Sequence, residues 1–229
     1  MRLSTIVLAL GCLASGVARA NAQQRPDPAP YLMADRAAEV ALARSAAPRA
    51  VSDSATVLVL TPTGFVDAAH GSNGFTCVVM RSFPGDETAP GFWNPRVRAP
   101  YCFNAPAARS VLPAMLAQVE WLLSGVSPAE AGARFRRGYA SREFPAPAAG
   151  SMVYMMSPEQ YLNDEVKRAG PHLMFFYDRS QPATAWGAST DGTGPVIDGT
   201  APSNAPILTL IIPTRRWSDG TPVGAPASH

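Results

Sequence analysis

Three histidines, His70, His172 and His229, limit the acid–base and metal chemistry open to this chain of 229 residues. His172 begins the apolar segment His-Leu-Met-Phe-Phe-Tyr, and the two-residue period of a strand puts Met174 and Phe176 on its side. Imidazole together with thioethers is a ligand set that selects a copper(I)-type ion. The same spacing is typical of a buried strand whose methionines fill irregular space in a core. Both interpretations of His172 are open at the level of sequence.

A second apolar segment, 151–156, supplies further groups for His172 if the two segments pair as strands. Tyr154 would then approach the imidazole, or one of three methionine sulfurs would. The methionines of this segment are Met152, Met155 and Met156. Which of them faces the histidine depends on the pairing register, and the sequence does not fix that register.

Catalysis would instead need His172 beside a nucleophile and a carboxylate. The acids available near it in sequence or at loop positions are Asp178, Asp191 and Asp219. The motifs G-x-S-x-G, S-x-x-K, H-E-x-x-H and C-x-x-C do not occur in the sequence. A hydrolase-like enzyme that uses His172 with a nearby carboxylate is therefore an alternative hypothesis. His172 is its candidate catalytic residue, and the sequence predicts no cofactor.

A third group of residues combines aromatic rings with charge in loops and at strand ends. Tryptophan and arginine in such places are common at ligand and partner surfaces. Together with Tyr154 and His172, the candidate ligand-binding residues are Trp93, Arg96, Asp178, Trp186 and Trp217. The alternative is that the tryptophans close the ends of a sheet, since tryptophan is largely buried on average.

The first 20 residues have the three parts of an export signal. Arg2 precedes an apolar run over 5–14, and small residues end in Ala18-Arg19-Ala20. Cleavage near Ala20 predicts a periplasmic or extracellular chain, and no later segment approaches the roughly 20 apolar residues of a membrane span. Loss of Arg2 and Arg19 brings the formal charge from +2 to zero, which argues against a nucleic-acid partner.

Cleavage would leave two of the three cysteines, Cys77 and Cys102, in an oxidising compartment. They are too far apart in sequence for a C-x-x-C redox pair, so we expect one structural disulfide. The third cysteine, Cys12, would carry a lipid if the signal were of the lipoprotein type, which the sequence leaves open.

The elements that position these residues follow from local patterns. Residues 21–30 are a polar, proline-rich, flexible segment, and Asn73-Gly74 suits a hairpin turn within a meander. Asn104 and Ser127 are suited to cap helices. Predicted helices cover 33–46, 106–123, 128–140 and a short segment from 157, and predicted strands cover 55–60, 64–69, 75–81, 151–156, 172–177 and 206–213. Residues 83–104 are predicted to form a long loop.

Strands at both ends with helices between them indicate one α+β domain over 31–229, a mainly antiparallel sheet with helices packed on one face.

Four uncommon strings connect the chain to other proteins: Gly71-Ser-Asn-Gly-Phe-Thr-Cys77, Phe92-Trp-Asn-Pro-Arg96, Pro171-His-Leu-Met-Phe-Phe176 and Trp217-Ser-Asp-Gly220. With them the mature chain resembles a family of exported bacterial proteins of no assigned function. The resemblance implies export and no particular activity. The leading hypothesis is a non-catalytic binding or accessory domain of the bacterial cell envelope, whose partner is an unknown small molecule or an envelope protein.

Overall fold

Eight strands and five α-helices make up the described part of the chain, which in this computed structural model is residues 27–83, 91–200 and 206–224. The strands are β1 (Thr56–Thr61), β2 (Gly64–Ala69), β3 (Thr76–Met80), β4 (Ala99–Phe103), β5 (Met152–Met155), β6 (His172–Asp178), β7 (Ile197–Asp198) and β8 (Ile207–Pro213). The helices are α1 (Arg36–Arg44), α2 (Arg49–Ser52), α3 (Ala105–Ser110), α4 (Leu112–Leu123) and α5 (Pro128–Ala140). The predicted export signal, most of the flexible segment after it and His229 lie outside the described residues.

All eight strands belong to one sheet in the order β2-β1-β3-β4-β5-β6-β8-β7. Strands β1 and β3 are parallel, and the other neighbours are antiparallel. Cys77 of β3 and Cys102 of β4 are direct partners in the ladder and form a disulfide. The predicted α+β class, the mainly antiparallel sheet and the disulfide are confirmed.

The sheet is buried on both faces, as the alternation along β3 shows. Val78 and Met80 point into the larger core, which α3, α4 and α5 cover. Cys77 and Val79 point into a second core, where Leu42 of α1 packs. The prediction that helices pack on one face is therefore wrong for α1. Its apolar stripe is short, and the sequence pattern shows that a helix has an apolar side without showing which face of the sheet that side covers.

The predicted meander over 55–81 is also wrong in its topology. Strands β1 and β2 form a hairpin, but β3 passes to the far side of β1 and runs parallel to it. The crossing segment lies so close to β1 that a Cβ on Gly71 would come within 2.2 Å of the backbone nitrogen of Thr56. Asn73 does make a turn, since its side-chain oxygen accepts from the Phe75 amide, but this turn does not join paired strands.

Three local differences separate the predicted elements from the observed ones. The predicted loop over 83–104 contains β4, whose pairing partners lie far away in the chain. The predicted helix over 106–123 is interrupted at Val111, where α3 ends and α4 begins. No helix forms after Ser157, whose hydroxyl accepts from the Glu159 amide in a turn. The caps at Asn104 and Ser127 are confirmed, because each side chain accepts from an amide in the first turn of its helix.

Among residues 27–83, 91–200 and 206–224, no helix has both the length and the apolar character needed to cross a membrane.

Candidate functional site

A cavity of about 430 Å³ lies between the sheet and helices α4 and α5. Its sheet wall comes from β3, β4, β5, β6 and β8, and its helical wall includes Val111, Met115 and Phe135. Four methionines line it: Met80, Met115, Met155 and Met174. The polar residues of the lining are Arg81, Ser82, Tyr101, Gln118, His172 and Thr209. A mainly apolar cavity of this size with a few polar groups is typical of small-molecule sites.

His172 enters this cavity from the first position of β6. The pairing of β5 with β6 places Met155 directly opposite it, and Met174 follows two residues later on the same face. The shared face of His172, Met174 and Phe176 is confirmed, since all three line the cavity.

The tautomer of His172 is fixed by one hydrogen bond. Its Nδ1 lies 2.7 Å from the carbonyl oxygen of Gly170, which can only accept, so Nδ1 carries the proton. Burial lowers the pKa of His172 below its ordinary value of 6.5, although the bond to Gly170 opposes that shift. The neutral ring therefore presents an unprotonated Nε2, and within the described part of the chain no hydrogen bond reaches this atom.

Two hydroxyls of the cavity lining have no hydrogen-bond partner among the described residues. They are Oγ of Ser82 and Oγ1 of Thr209. Thr209 is only 3% exposed, so its hydroxyl has lost its water without gaining a protein partner. An isolated buried hydroxyl costs roughly 1–3 kcal/mol. In a cavity that can hold a ligand, such a group is a candidate contact for the ligand.

The phenol of Tyr101 is a third polar group on the sheet wall. Burial raises its pKa to about 12, so it keeps its proton and can donate at neutral pH.

Among the described residues, Arg81 is the one charged residue of the lining, and its side chain is already neutralised. Its guanidinium forms an ion pair of 2.7 Å with Glu39 of α1, and both side chains are almost fully buried. It also donates to the carbonyl oxygens of Tyr31 and Val79. The cavity therefore offers hydrogen-bonding groups but no unbalanced charge.

The structure separates Tyr154 from His172. Tyr154 and Met155 are adjacent in β5 and so point to opposite faces; the tyrosine packs near Phe75 in the α1 core. In the described chain no carboxylate contacts His172: Asp178 lies at the far end of β6, and Asp191 and Asp219 hold the loop residues Thr193 and Thr221. The structure therefore does not bring a carboxylate to the candidate catalytic histidine.

The remaining predicted ligand residues are scattered over the surface and do not form one site. Trp93 packs on Phe83 and Phe92. Arg96 forms an exposed ion pair with Asp164 at 2.5 Å.

Three more of these residues lie at other places on the surface. Trp186 stacks on Tyr177 with ring centroids 4.4 Å apart. Trp217 lies under the guanidinium of Arg168. Asp178 lies in a separate surface groove that Arg142 also lines.

Sequence reasoning missed the orphan hydroxyl of Thr209 and the Glu39–Arg81 pair. Both depend on contacts between residues distant in sequence, and the only local signal was a threonine inside the apolar segment 207–212. Within the described ranges, no three or more histidine, cysteine, aspartate or glutamate side chains cluster as a metal site. No protein-family model, no curated protein and no solved structure matches the chain.

Proposed function

We propose that this chain is an exported envelope protein that binds a small, uncharged, largely apolar molecule in the cavity under the sheet. The observation that carries the proposal is the 430 Å³ cavity with the unpartnered hydroxyl of Thr209 in its wall. Binding a ligand with a polar group would satisfy that hydroxyl, and the apolar walls would bury the rest of the ligand.

The character of the walls narrows the chemistry of the ligand. The volume is in the range of small-molecule sites, which runs from about 300 to 1,000 Å³. Flexible thioethers suit an apolar body of irregular shape. A carboxylate or phosphate would need a cation, but Arg81 is held by Glu39. An uncharged molecule that bears a hydroxyl, carbonyl or amide group fits best.

Export is supported by the order of residue types in the first 20 positions and by the disulfide between Cys77 and Cys102. The resemblance to exported bacterial proteins agrees with it. A periplasmic or extracellular binding domain would meet such a ligand in the envelope.

Occupancy is tested first on protein purified gently from the envelope of its own host. Native mass spectrometry of that protein should show an organic adduct that is lost on denaturation. In parallel, N-phenyl-1-naphthylamine, an uncharged aromatic fluorophore, should bind the emptied protein with increased fluorescence.

Ala99→Phe provides the decisive comparison, because Ala99 lies in the sheet wall of the cavity and a phenyl ring there would fill part of the space. We expect this variant to stay folded and to lose fluorophore binding. Ala129→Phe, the same change at an exposed position of α5, should bind as the unmodified protein does. Equal binding by all three folded proteins would overturn the proposal.

A further inference from the structure

We propose that His172, Met155 and Met174 form a binding site for one soft monovalent metal ion, copper(I) or silver(I), on the sheet wall of the cavity. The inference does not rest on the organic ligand proposed above. It rests on strand register and on the orientation of one imidazole.

The register brings the three side chains together. Met155 and His172 are direct partners across β5 and β6, where Cβ atoms lie roughly 4.5–5.5 Å apart. Met174 is two residues beyond His172 on the same face, about 6.6 Å along the strand. All three line the cavity. Side chains of this length from such positions can converge on one point above the sheet.

The imidazole is oriented as a metal ligand requires. Metal-bound histidines generally donate their other ring N–H to a carbonyl or carboxylate, which fixes the ring and its tautomer. The Gly170 carbonyl serves that purpose for Nδ1 of His172 at 2.7 Å. The lone pair of Nε2 is thereby available, and burial keeps the ring neutral by lowering its pKa.

The donor set selects the kind of ion. Thioethers are soft ligands that bind copper(I), whereas magnesium and calcium prefer carboxylates and zinc is usually held by thiolates, imidazoles or carboxylates. Arg81 is the one charged residue in the lining, and its partner Glu39 is committed to it. A monovalent ion adds a single charge to this apolar wall, and a divalent ion would add two.

Strand β5 contains a second methionine that serves as an internal control for the proposed site. Met152 and Met155 are both in β5, but they are three positions apart, so they point to opposite faces of the sheet. Only Met155 lies in the cavity lining. A metal held by methionine side chains in general would depend on both residues, whereas the proposed site depends on Met155 and not on Met152.

Silver(I) is the probe, because it needs no reductant and so leaves the Cys77–Cys102 disulfide intact. The full chain carries Cys12→Ser to remove the one cysteine outside that disulfide. Isothermal titration should give one equivalent of silver(I) bound. Met155→Leu and Met174→Leu should each weaken binding by at least about tenfold, since even loss of an outer-shell partner costs 10–100-fold. Met152→Leu should bind as the parent does.

Methyl resonances of methionine provide the second readout and need no variant. With methionine labelled at the ε-carbon, silver(I) should shift the signals of Met155 and Met174 and leave that of Met152 in place. His172→Gln should also abolish tight binding, with circular dichroism used to establish that each variant is folded.

The inference would be overturned by the absence of stoichiometric binding to folded parent protein, or by equal binding of the parent and both cavity leucine variants. Shifts confined to other methionines would overturn it as well. The organic-ligand proposal is distinguished by the fluorophore, because retained fluorophore binding with no silver(I) binding rejects only the metal site. Loss of the fluorophore with silver(I) binding intact would reject only the organic ligand.

Discussion

The ligand binding proposed for this protein would depend on a few polar residues in the wall of an apolar cavity. His172, Thr209 and Tyr101 all line a space whose walls are otherwise mainly hydrophobic. Among the described residues, Nε2 of His172 and Oγ1 of Thr209 have no hydrogen-bond partner, which is costly in a core and useful in a binding site. The energetic cost of each unpartnered group can be measured as a change in the free energy of unfolding when the residue is substituted.

The pH dependence of stability should carry the signature of a buried neutral histidine. Because burial lowers the pKa of His172 below 6.5, the unfolded state takes up a proton first as the pH falls. The contribution of His172 to the free energy of unfolding should therefore be complete above pH 6.5 and should decline between pH 6.5 and the lowered pKa. The slope from this group is at most about 1.4 kcal/mol per pH unit. Urea unfolding at pH 7.5 and 5.5 measures this.

His172→Gln should remove that part of the decline. The matched variant His70→Gln changes an exposed histidine and should leave the decline as it is. An unchanged pH dependence in folded His172→Gln would contradict the prediction.

Thr209→Val separates stability from binding. Valine has the shape of threonine without the hydroxyl, so the empty protein should gain about 1 kcal/mol as the unpartnered oxygen disappears. Affinity for a ligand that uses the hydroxyl should fall at the same time. Chemical denaturation and fluorophore titration measure the two effects.

Thr200→Val is the control, because the Thr200 hydroxyl accepts from the Thr209 amide at 3.0 Å and is in use. It should lose about 1 kcal/mol. A loss of stability in Thr209→Val of the same size would show that its hydroxyl also has a partner.

At the scale of elements, the sequence predicts what is locally encoded. The apolar segments of β6 and β8 and the caps at Asn104 and Ser127 are readable because their physics involves neighbours in the chain. The shared face of His172 and Met174 follows from strand period alone. Strand β4 was missed because Pro100 and the turn-forming residues before it are typical of a loop.

Pairing between distant segments is what local patterns cannot supply. A shift of one residue in the pairing of β5 with β6 would place Tyr154 directly opposite His172 and turn Met155 to the other face of the sheet. The observed register puts Met155 there instead. The connection that passes β1 to bring β3 to its far side, and the burial of Glu39 beside Arg81, likewise depend on how the layers of the fold assemble.

The Glu39–Arg81 pair fastens α1 to the end of β3 and should matter strongly to stability. Glu39→Gln leaves the guanidinium of Arg81 charged, buried and without its anion, so we expect a loss of roughly 3–5 kcal/mol in the free energy of unfolding. Urea denaturation provides the measurement. Glu130→Gln breaks exposed ion pairs with Arg134 and Arg137, which solvent screens, and should have little effect on the free energy of unfolding.

Replacing the buried pair as a unit distinguishes burial of a charge from loss of packing. Glu39→Leu combined with Arg81→Met should recover much of the stability lost in Glu39→Gln. If the double variant is as unstable as the single one, packing or backbone hydrogen bonds dominate, and the electrostatic explanation is wrong.

For the whole molecule, the sheet separates the disulfide-bonded core from the cavity. One face carries the disulfide and the α1 core, and the other carries the cavity, because Cys77 and Val78 are adjacent in β3 and point opposite ways. The two cysteines are 25 residues apart, so removing the bridge by Cys77→Ala with Cys102→Ala should cost about 3.5 kcal/mol on the loop-entropy model. Binding in the cavity should be unaffected for the folded fraction, since neither sulfur lies in its wall. Thermal unfolding and fluorophore titration on the same double variant test both halves. A large fall in affinity in protein that is still folded would show that the two faces are coupled through the sheet, and the disulfide would then have a role in shaping the cavity as well as in stability.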